Sequence, residues 1–279
     1  MTLTSNIFLL AFAVLFFAGC EESTQPNEYS NQLVVSAFLT AEQPIDSVFV
    51  GRTGNLLEYY SPRNCAITNA IVKITLVDTV NPAFNVTYTL IHDSNYPGRY
   101  YSSSVVLPLR TYLLSVEAPG YLLVTGKTTV PDTFSIVNRS DFPDTVTYDP
   151  MMPSYKLNWT SSRNYSDYIG SVASIDSMAA DIPSDFRTAD DPKPDKISIF
   201  YFNSPNINSV SIIWLAVNYY GRNLVTIDAV DYNYYDFLRQ FIVSGGTELR
   251  QIRYNIVGGL GVFGALARAH NSIIIFVKP

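Results

Sequence analysis

The sequence predicts a mainly β protein: an N-terminal immunoglobulin-like or transthyretin-like β-sandwich, followed by a second β-rich domain with one short helix. Three observations lead there. Aromatic residues make up 14% of the chain, with 20 tyrosines, against 15% charged residues, a balance that suits pleated, half-buried surfaces better than helix or disorder. Apolar and polar residues alternate with a period of two in many short runs bounded by Gly, Pro and Asn. A convincing helical period occurs once, over Asn233–Val243.

The chain opens with an uncharged apolar run, Ile7 to Ala18. It is shorter than the roughly 20 residues a membrane-spanning helix needs, and it fits a secretory leader core of about 7–15. Phe17-Ala18-Gly19-Cys20 follows and resembles a lipobox, in which small residues admit the peptidase and the cysteine thiol takes the lipid. Residues 1–19 therefore read as a lipoprotein signal peptide and Cys20 as the lipidation site. Acyl chains on Cys20 would hold the protein on a membrane at about 0.8 kcal/mol per buried CH₂. The polar stretch to Asn31, with Pro26 inside it, reads as a tether over residues 20–31.

Beyond the tether the period becomes two. Leu33, Val35, Ala37 and Leu39 alternate with their neighbours, as do Val72, Ile74 and Leu76, then Val86, Tyr88 and Leu90, then Tyr112, Leu114 and Val116. A turn is expected at Ala118-Pro119-Gly120 and a strand from Tyr121 to Val130, stopped by Pro131. Residues 32–131 are thus expected to form the sandwich. Residues 132–154 hold Pro143, Pro150 and Pro153 among several aspartates and read as a linker. The second domain is expected over 155–279, with strands at Tyr155–Trp159, Ile197–Phe202, Val210–Val217, Leu224–Val230 and Ile273–Val277. In its helix, Tyr234, Phe237, Leu238 and Phe241 fall at i, i+3, i+4 and i+7, and Ser244-Gly245-Gly246 ends it.

Charge and motif content narrow the chemistry. A net charge of −6 without clustered Lys or Arg argues against nucleic acid. With Cys20 acylated, Cys65 has no partner for an intramolecular disulfide. His92 and His270 are the only histidines, so there is no zinc spacing, and no Gly-x-Ser-x-Gly elbow occurs. No catalytic residue, metal or cofactor is assigned; a hydrolase would have to use His92 or His270 as base without any supporting motif. The aspartates of segment 176–195 could offer oxygens to Ca²⁺, yet they lack the Asp-x-Asp-x-Asp-Gly order of a dedicated loop and read as a solvated loop. Gly259-x-Gly261-x-x-Gly264 has the spacing of a dinucleotide fingerprint, but no βαβ unit opens there and no acidic residue follows it. These glycines read instead as positions of positive φ or close backbone approach.

Several segments together resemble Bacteroidota lipoproteins of domain-of-unknown-function family 4249: Leu33 to Thr40, Asn69 to Ile74, Pro97-Gly98-Arg99-Tyr100, Tyr112 to Gly120, and above all Asn255 to Gly264. That last stretch reads Asn-x-x-Gly-Gly-Leu-Gly-x-Phe-Gly and includes Gly258, Gly259, Gly261 and Gly264. The resemblance implies an outer-membrane lipoprotein associated with TonB-dependent receptors, and it carries over no catalytic residue. Glu21 and Glu22, beside the lipidated cysteine, resemble the signal that exports such lipoproteins to the cell surface; the periplasmic face stays open as the alternative. The expected function is non-catalytic binding as an accessory subunit, with such a receptor as the partner the resemblance implies. The alternative is an adhesion module for glycans or neighbouring cells. Paired tyrosines, Tyr59-Tyr60, Tyr219-Tyr220 and Tyr234-Tyr235, are candidate partner-binding rings.

Overall fold

The strand β1, Leu33–Thr40, buries every second residue: Leu33, Val35, Ala37 and Leu39 are inside, while Val34, Ser36, Phe38 and Thr40 are half-covered. A computed structural model describes residues 31–54, 61–78, 80–176, 179–183, 192–201, 207–212, 214–243 and 254–279. Within them β1 is followed by β2 (Pro44–Arg52), β3 (Ile71–Val77), β4 (Val86–Thr89), β5 (Ile91–His92), β6 (Arg99–Val105), β7 (Thr111–Glu117) and β8 (Val124–Thr129). Next come β9 (Thr145–Thr147), β10 (Tyr155–Asn158), β11 (Asp167–Ser174), β12 (Ile197–Tyr201), β13 (Ser209–Ile212) and β14 (Gly221–Val230). The helix α1 (Tyr232–Val243) and strands β15 (Ile256–Val257), β16 (Leu260–Arg268) and β17 (Ile273–Lys278) complete the order. The leader, Cys20, Glu21, Glu22 and the tether lie outside the described residues, as do Tyr59 and Tyr60.

The protein is mainly β, with multiple sheets and one short α-helix among the described residues. A ten-stranded sheet runs β12-β11-β14-β16-β1-β2-β6-β5, with β17 also on β14 and β9 on β17. A five-stranded sheet runs β15-β8-β7-β3-β4, and β10 pairs with β13. Val72 and Ile74 of β3 and Tyr112, Leu114 and Val116 of β7 are buried in one core with Val35, Ala37 and Leu39 of β1, a sandwich in which alternate residues of each strand face inward. Each such burial of a valine, leucine or isoleucine stabilises by about 1.5–3 kcal/mol.

The expected division into two domains is corrected by the structure. Residues Gln32–Pro279 form one compact unit, because β1 lies between β2, antiparallel, and β16, parallel, with Val34 opposite Leu260 and Thr40 opposite Leu266. The segment 132–154 is no linker. Phe134, Ile136, Phe142 and Val146 are buried in the common core, and β9 runs parallel to β17. Its prolines set bends between short apolar anchors, which composition alone cannot distinguish from a tether. Two strand expectations also shift. β8 begins only at Val124, leaving Tyr121–Leu123 outside it, and the run after β13 turns into a 3₁₀ turn, Trp214–Ala216, with Trp214 and Val217 buried.

β16 explains its own composition. Its residues from Gly261 to Ala267 are all buried, as expected of a strand covered on both faces. On one face Phe263 lies against Gly126 of β8, where an added Cβ would come within 3.2 Å of the Phe263 Cβ. On the other, Tyr234, Tyr235 and Leu238 of α1 pack on Ile169, Val230 and Leu266. The predicted stripe of α1 is thus seated on the sheet through Tyr234 and Leu238.

Candidate functional site

An open concavity that combines aromatic and charged groups lies over β1, β2 and β6. It is a groove of about 710 Å³ whose walls include Phe38, Phe49, Arg63, Tyr96 and Arg99. Period-two geometry places Phe38 and Phe49 on the face of their strands away from the common core. Phe38 is also held from the side by α1, its ring centroid 4.6 Å from that of Tyr234 and 6.2 Å from that of Phe237. Arg99 is fixed in place: its Nε donates to the Asp46 carbonyl at 3.0 Å, its Nη1 lies 3.5 Å from Asp93, and its guanidinium carbon is 5.6 Å from the centre of the exposed Tyr96 ring. The turn that presents Tyr96 and Arg99 depends on Gly98, at φ +84°, where a Cβ would meet Phe49 and the Val50 carbonyl at 2.8 Å. The Gly98 N–H donates to His92 Nε2 at 3.3 Å.

The Asn255–Gly264 stretch forms a second arrangement, built on backbone contacts within the fold. Gly258 (φ +86°) lets β15 approach β8, since a Cβ there would overlap the Leu123 carbonyl. Gly259 touches the Leu33 carbonyl and Val124, and Gly261 (φ +124°) faces the Val35 carbonyl, which a Cβ would overlap. Gly264 lies under the first turn of α1, where a Cβ would be 2.9 Å from that of Tyr234. Asn255 donates Nδ2–H to the Phe263 carbonyl at 2.7 Å and accepts the Phe263 N–H at 2.9 Å. The motif therefore joins β1, β8, β16 and α1 at close backbone range. It sits in and beside a strand, and no helix N-terminus follows it as phosphate binding would require.

The model for the domain of unknown function DUF4249 matches residues 21–272. The chain belongs to the DUF4249 family. No curated protein matches it.

In this DUF4249 protein α1 starts from a buried carboxylate. Asp231 caps the helix, its Oδ1 accepting from Tyr234 N at 2.9 Å and from Ala265 N at 3.0 Å, and its Oδ2 accepting from Thr128 Oγ1 at 2.5 Å. Burial pushes its pKa up against the lowering effect of those donors. Asp167 is buried likewise and is raised by the same cause, with Tyr168 N and the Tyr235 hydroxyl as its donors. Sequence reading singled out neither aspartate. Asp231 directly precedes α1, which starts at Tyr232, one residue earlier than the helix expected over Asn233–Val243, whose N-cap position would have fallen on Tyr232.

The four described tyrosines expected to bind a partner are used internally. Tyr219 is buried, its hydroxyl donating to the Pro194 carbonyl at 2.6 Å. Tyr220 packs on the core edge-on to Tyr148 at 6.3 Å. Tyr234 and Tyr235 pack under α1. Neither doublet lies on a strand: Tyr219-Tyr220 directly precedes β14, and Tyr234-Tyr235 stands in the first turns of α1. The groove tyrosine is Tyr96, which stands alone in the sequence; the neighbouring Pro97-Gly98-Arg99-Tyr100 was its only sequence signal.

The remaining candidates have structural surroundings. Asp176 is bound by Arg222, whose backbone N–H (2.6 Å) and guanidinium (2.7 Å) hold its carboxyl below the usual range. No group of three or more potential metal ligands occurs among the described residues. Cys65 is buried. His270 Nε2 is 2.6 Å from Glu42 Oε2, on the surface. No described helix is long and apolar enough to cross a membrane, which says nothing of strands.

Proposed function

We propose that this protein is a Bacteroidota lipoprotein acylated at Cys20, acting at the outer membrane as a non-catalytic accessory or binding subunit, with a TonB-dependent receptor as its partner. One observation carries the binding role: the groove of Phe38, Phe49, Tyr96 and Arg99 is built from side chains already fixed in place, and Tyr and Arg are the residues that dominate protein interfaces. The lipidation rests on the leader and Phe17-Ala18-Gly19-Cys20, and the surface location on Glu21 and Glu22.

The test is affinity capture of the lipidated protein from detergent-solubilised membranes. Recovery of a β-barrel receptor, lost in the Tyr96→Ala/Arg99→Ala variant at unchanged melting temperature, supports the reading. Capture without a barrel protein, together with glycan binding that the same variant abolishes, makes it an adhesion module instead. Replacing Glu21 and Glu22 with Ala should leave lipidation intact while hiding the body from protease added to whole cells; a native body already protected places it on the periplasmic face.

A further inference from the structure

We infer that the end of the body where the chain leaves the tether is a membrane-contact surface, with the Leu122-Leu123 turn, Val257 and Ile71 seated in the headgroup region of a bilayer. The inference rests on lipidation at Cys20 and adds to it where the folded body lies.

Strand register identifies this end. Val34 at the start of β1 lies opposite Leu260 at the start of β16, Leu33 opposite Arg52 at the end of β2, Ile71 at the start of β3 opposite Glu117 at the end of β7, and Val116 opposite Val124 at the start of β8. The β7–β8 connection, Ala118–Leu123, turns here. Turn tips are ordinarily polar, yet Leu122 is 76% exposed and Leu123 52%. Gly258 brings β15 against the Leu123 carbonyl, which sets Val257, 73% exposed, beside them. Ile71, 50% exposed, shares with Leu123 a hollow of about 530 Å³ that also holds Pro119 and Tyr121. Four large aliphatic side chains, two from the β7–β8 connection and one each from the start of β3 and the end of β15, thus gather on one tip. Core packing explains none of them, because the inward positions of β3, β7 and β8 are already filled by Val72, Ile74, Val116 and Val124.

The tether enters at the same place. Gln32 is fixed by Thr53, whose Oγ1 accepts its N–H at 3.1 Å and whose N–H donates to its carbonyl at 3.0 Å, and the next carbonyl, that of Leu33, lies against Gly259, two residues from Val257. Eleven residues lie between Cys20 and Gln32, and a chain of that length reaches no more than about 40 Å even fully extended. Held so close, the tip meets lipid at high effective concentration, and a contact too weak for a soluble protein becomes populated. Aliphatic residues on a turn inserted a few ångströms into the interface suit that role.

The test uses the full lipidated protein with a nitroxide on Leu122→Cys, reconstituted in phosphatidylcholine and phosphatidylethanolamine vesicles; buried Cys65 and acylated Cys20 do not compete for the label. Power saturation is expected to show the label more accessible to oxygen than to a polar nickel chelate, with the reverse at a Met151→Cys control. Aqueous values at both positions, in protein whose N-terminal peptide carries the acyl mass, overturn the contact surface and leave the anchor standing. Burial of the label only in native membranes, and not in vesicles, makes the tip a protein interface and also overturns it. The unlipidated Cys20→Ser protein separates the two readings: it should partition to the same vesicles weakly, with Leu122→Asp/Val257→Asp reducing that partition at least tenfold at unchanged melting temperature. If acylation is absent while this partition persists, the contact surface stands and the anchor reading fails.

Discussion

The side-chain amide of Asn255 closes on the peptide of Phe263, giving and receiving one hydrogen bond at 2.7 and 2.9 Å. It does for β16 what a neighbouring strand would do, at the point where β15 has already ended. Asn255→Ala should therefore cost about 2 kcal/mol, the penalty of leaving buried backbone groups without partners. Asn255→Asp should be nearly as damaging, since a carboxylate cannot donate to the Phe263 carbonyl. Urea midpoints at constant slope measure both, and an aspartate variant as stable as the parent would show that the carbonyl is served by Asn233 alone, which donates to it at 3.2 Å.

Gly261→Val should prevent folding, whereas Gly120→Ala should cost only about 1 kcal/mol. Both glycines have positive φ, but a Cβ at Gly261 would overlap the Val35 carbonyl while nothing lies within 4 Å of one at Gly120. Soluble yield and melting temperature separate the two effects, strain plus collision against strain alone. Equal losses would mean that β1 can retreat from β16.

Asp231 should make the protein more stable in mild acid, measured against its own Asn variant. Burial raises the folded-state pKa of Asp231, so the stability it contributes is complete below the unfolded value of about 3.9 and is lost as pH climbs through the raised folded value. Asp231→Asn keeps an acceptor for Tyr234 N and does not titrate. Denaturant titrations of both proteins from pH 3 to 8 should therefore diverge, with the wild type losing ground as pH rises; parallel curves would remove Asp231 from the pH dependence. Asp231→Ala should lose about 2 kcal/mol or more at every pH through the missing cap.

Alkaline unfolding should be governed by the buried tyrosines. Burial pushes Tyr168 up to about 12, and its hydroxyl accepts Ser162 N–H at 2.8 Å. A raised pKa again means stability complete below the unfolded value, near 10, and lost as pH rises through about 12. Tyr168→Phe should flatten the decline between these limits by about 2 kcal/mol at some cost at neutral pH from the unpartnered Ser162 amide. An unchanged alkaline slope would place the decline on Tyr100 and Tyr112, which burial also raises.

Limited proteolysis should spare residues 132–147. Phe134, Ile136, Phe142 and Val146 must leave the core before that backbone can enter a protease, and β9 must leave β17. Early cleavage there, without loss of the melting transition, would restore a flexible connection.

Alternation at Leu33–Leu39, Val72–Leu76 and Tyr112–Val116 was legible because each strand buries one face, and α1 because its stripe meets a sheet. What escaped was long-range. No local pattern announces that β1 takes its second neighbour from β16, nor that Phe134 and Phe142 reach a core shared with the chain's other half. The glycines of Asn255–Gly264 could be read as backbone contacts from composition alone, but their partners, the Val35 carbonyl and Tyr234, could not. The groove was missed for a similar reason: Phe38, Phe49, Tyr96 and Arg99 become neighbours only through β1-β2-β6 register.

The placement of β1 has a mechanical consequence. The chain that would carry an anchor joins the body at Gln32, directly before a strand hydrogen-bonded on both sides in the middle of the widest sheet. A pull through that chain along the strand axis loads the bonds to β2 and β16 together, in shear. An edge strand would instead peel away one bond at a time. Motion of a cell envelope would then tug on a strand held along both its edges, and the fold would outlast forces that open proteins tied down by a margin.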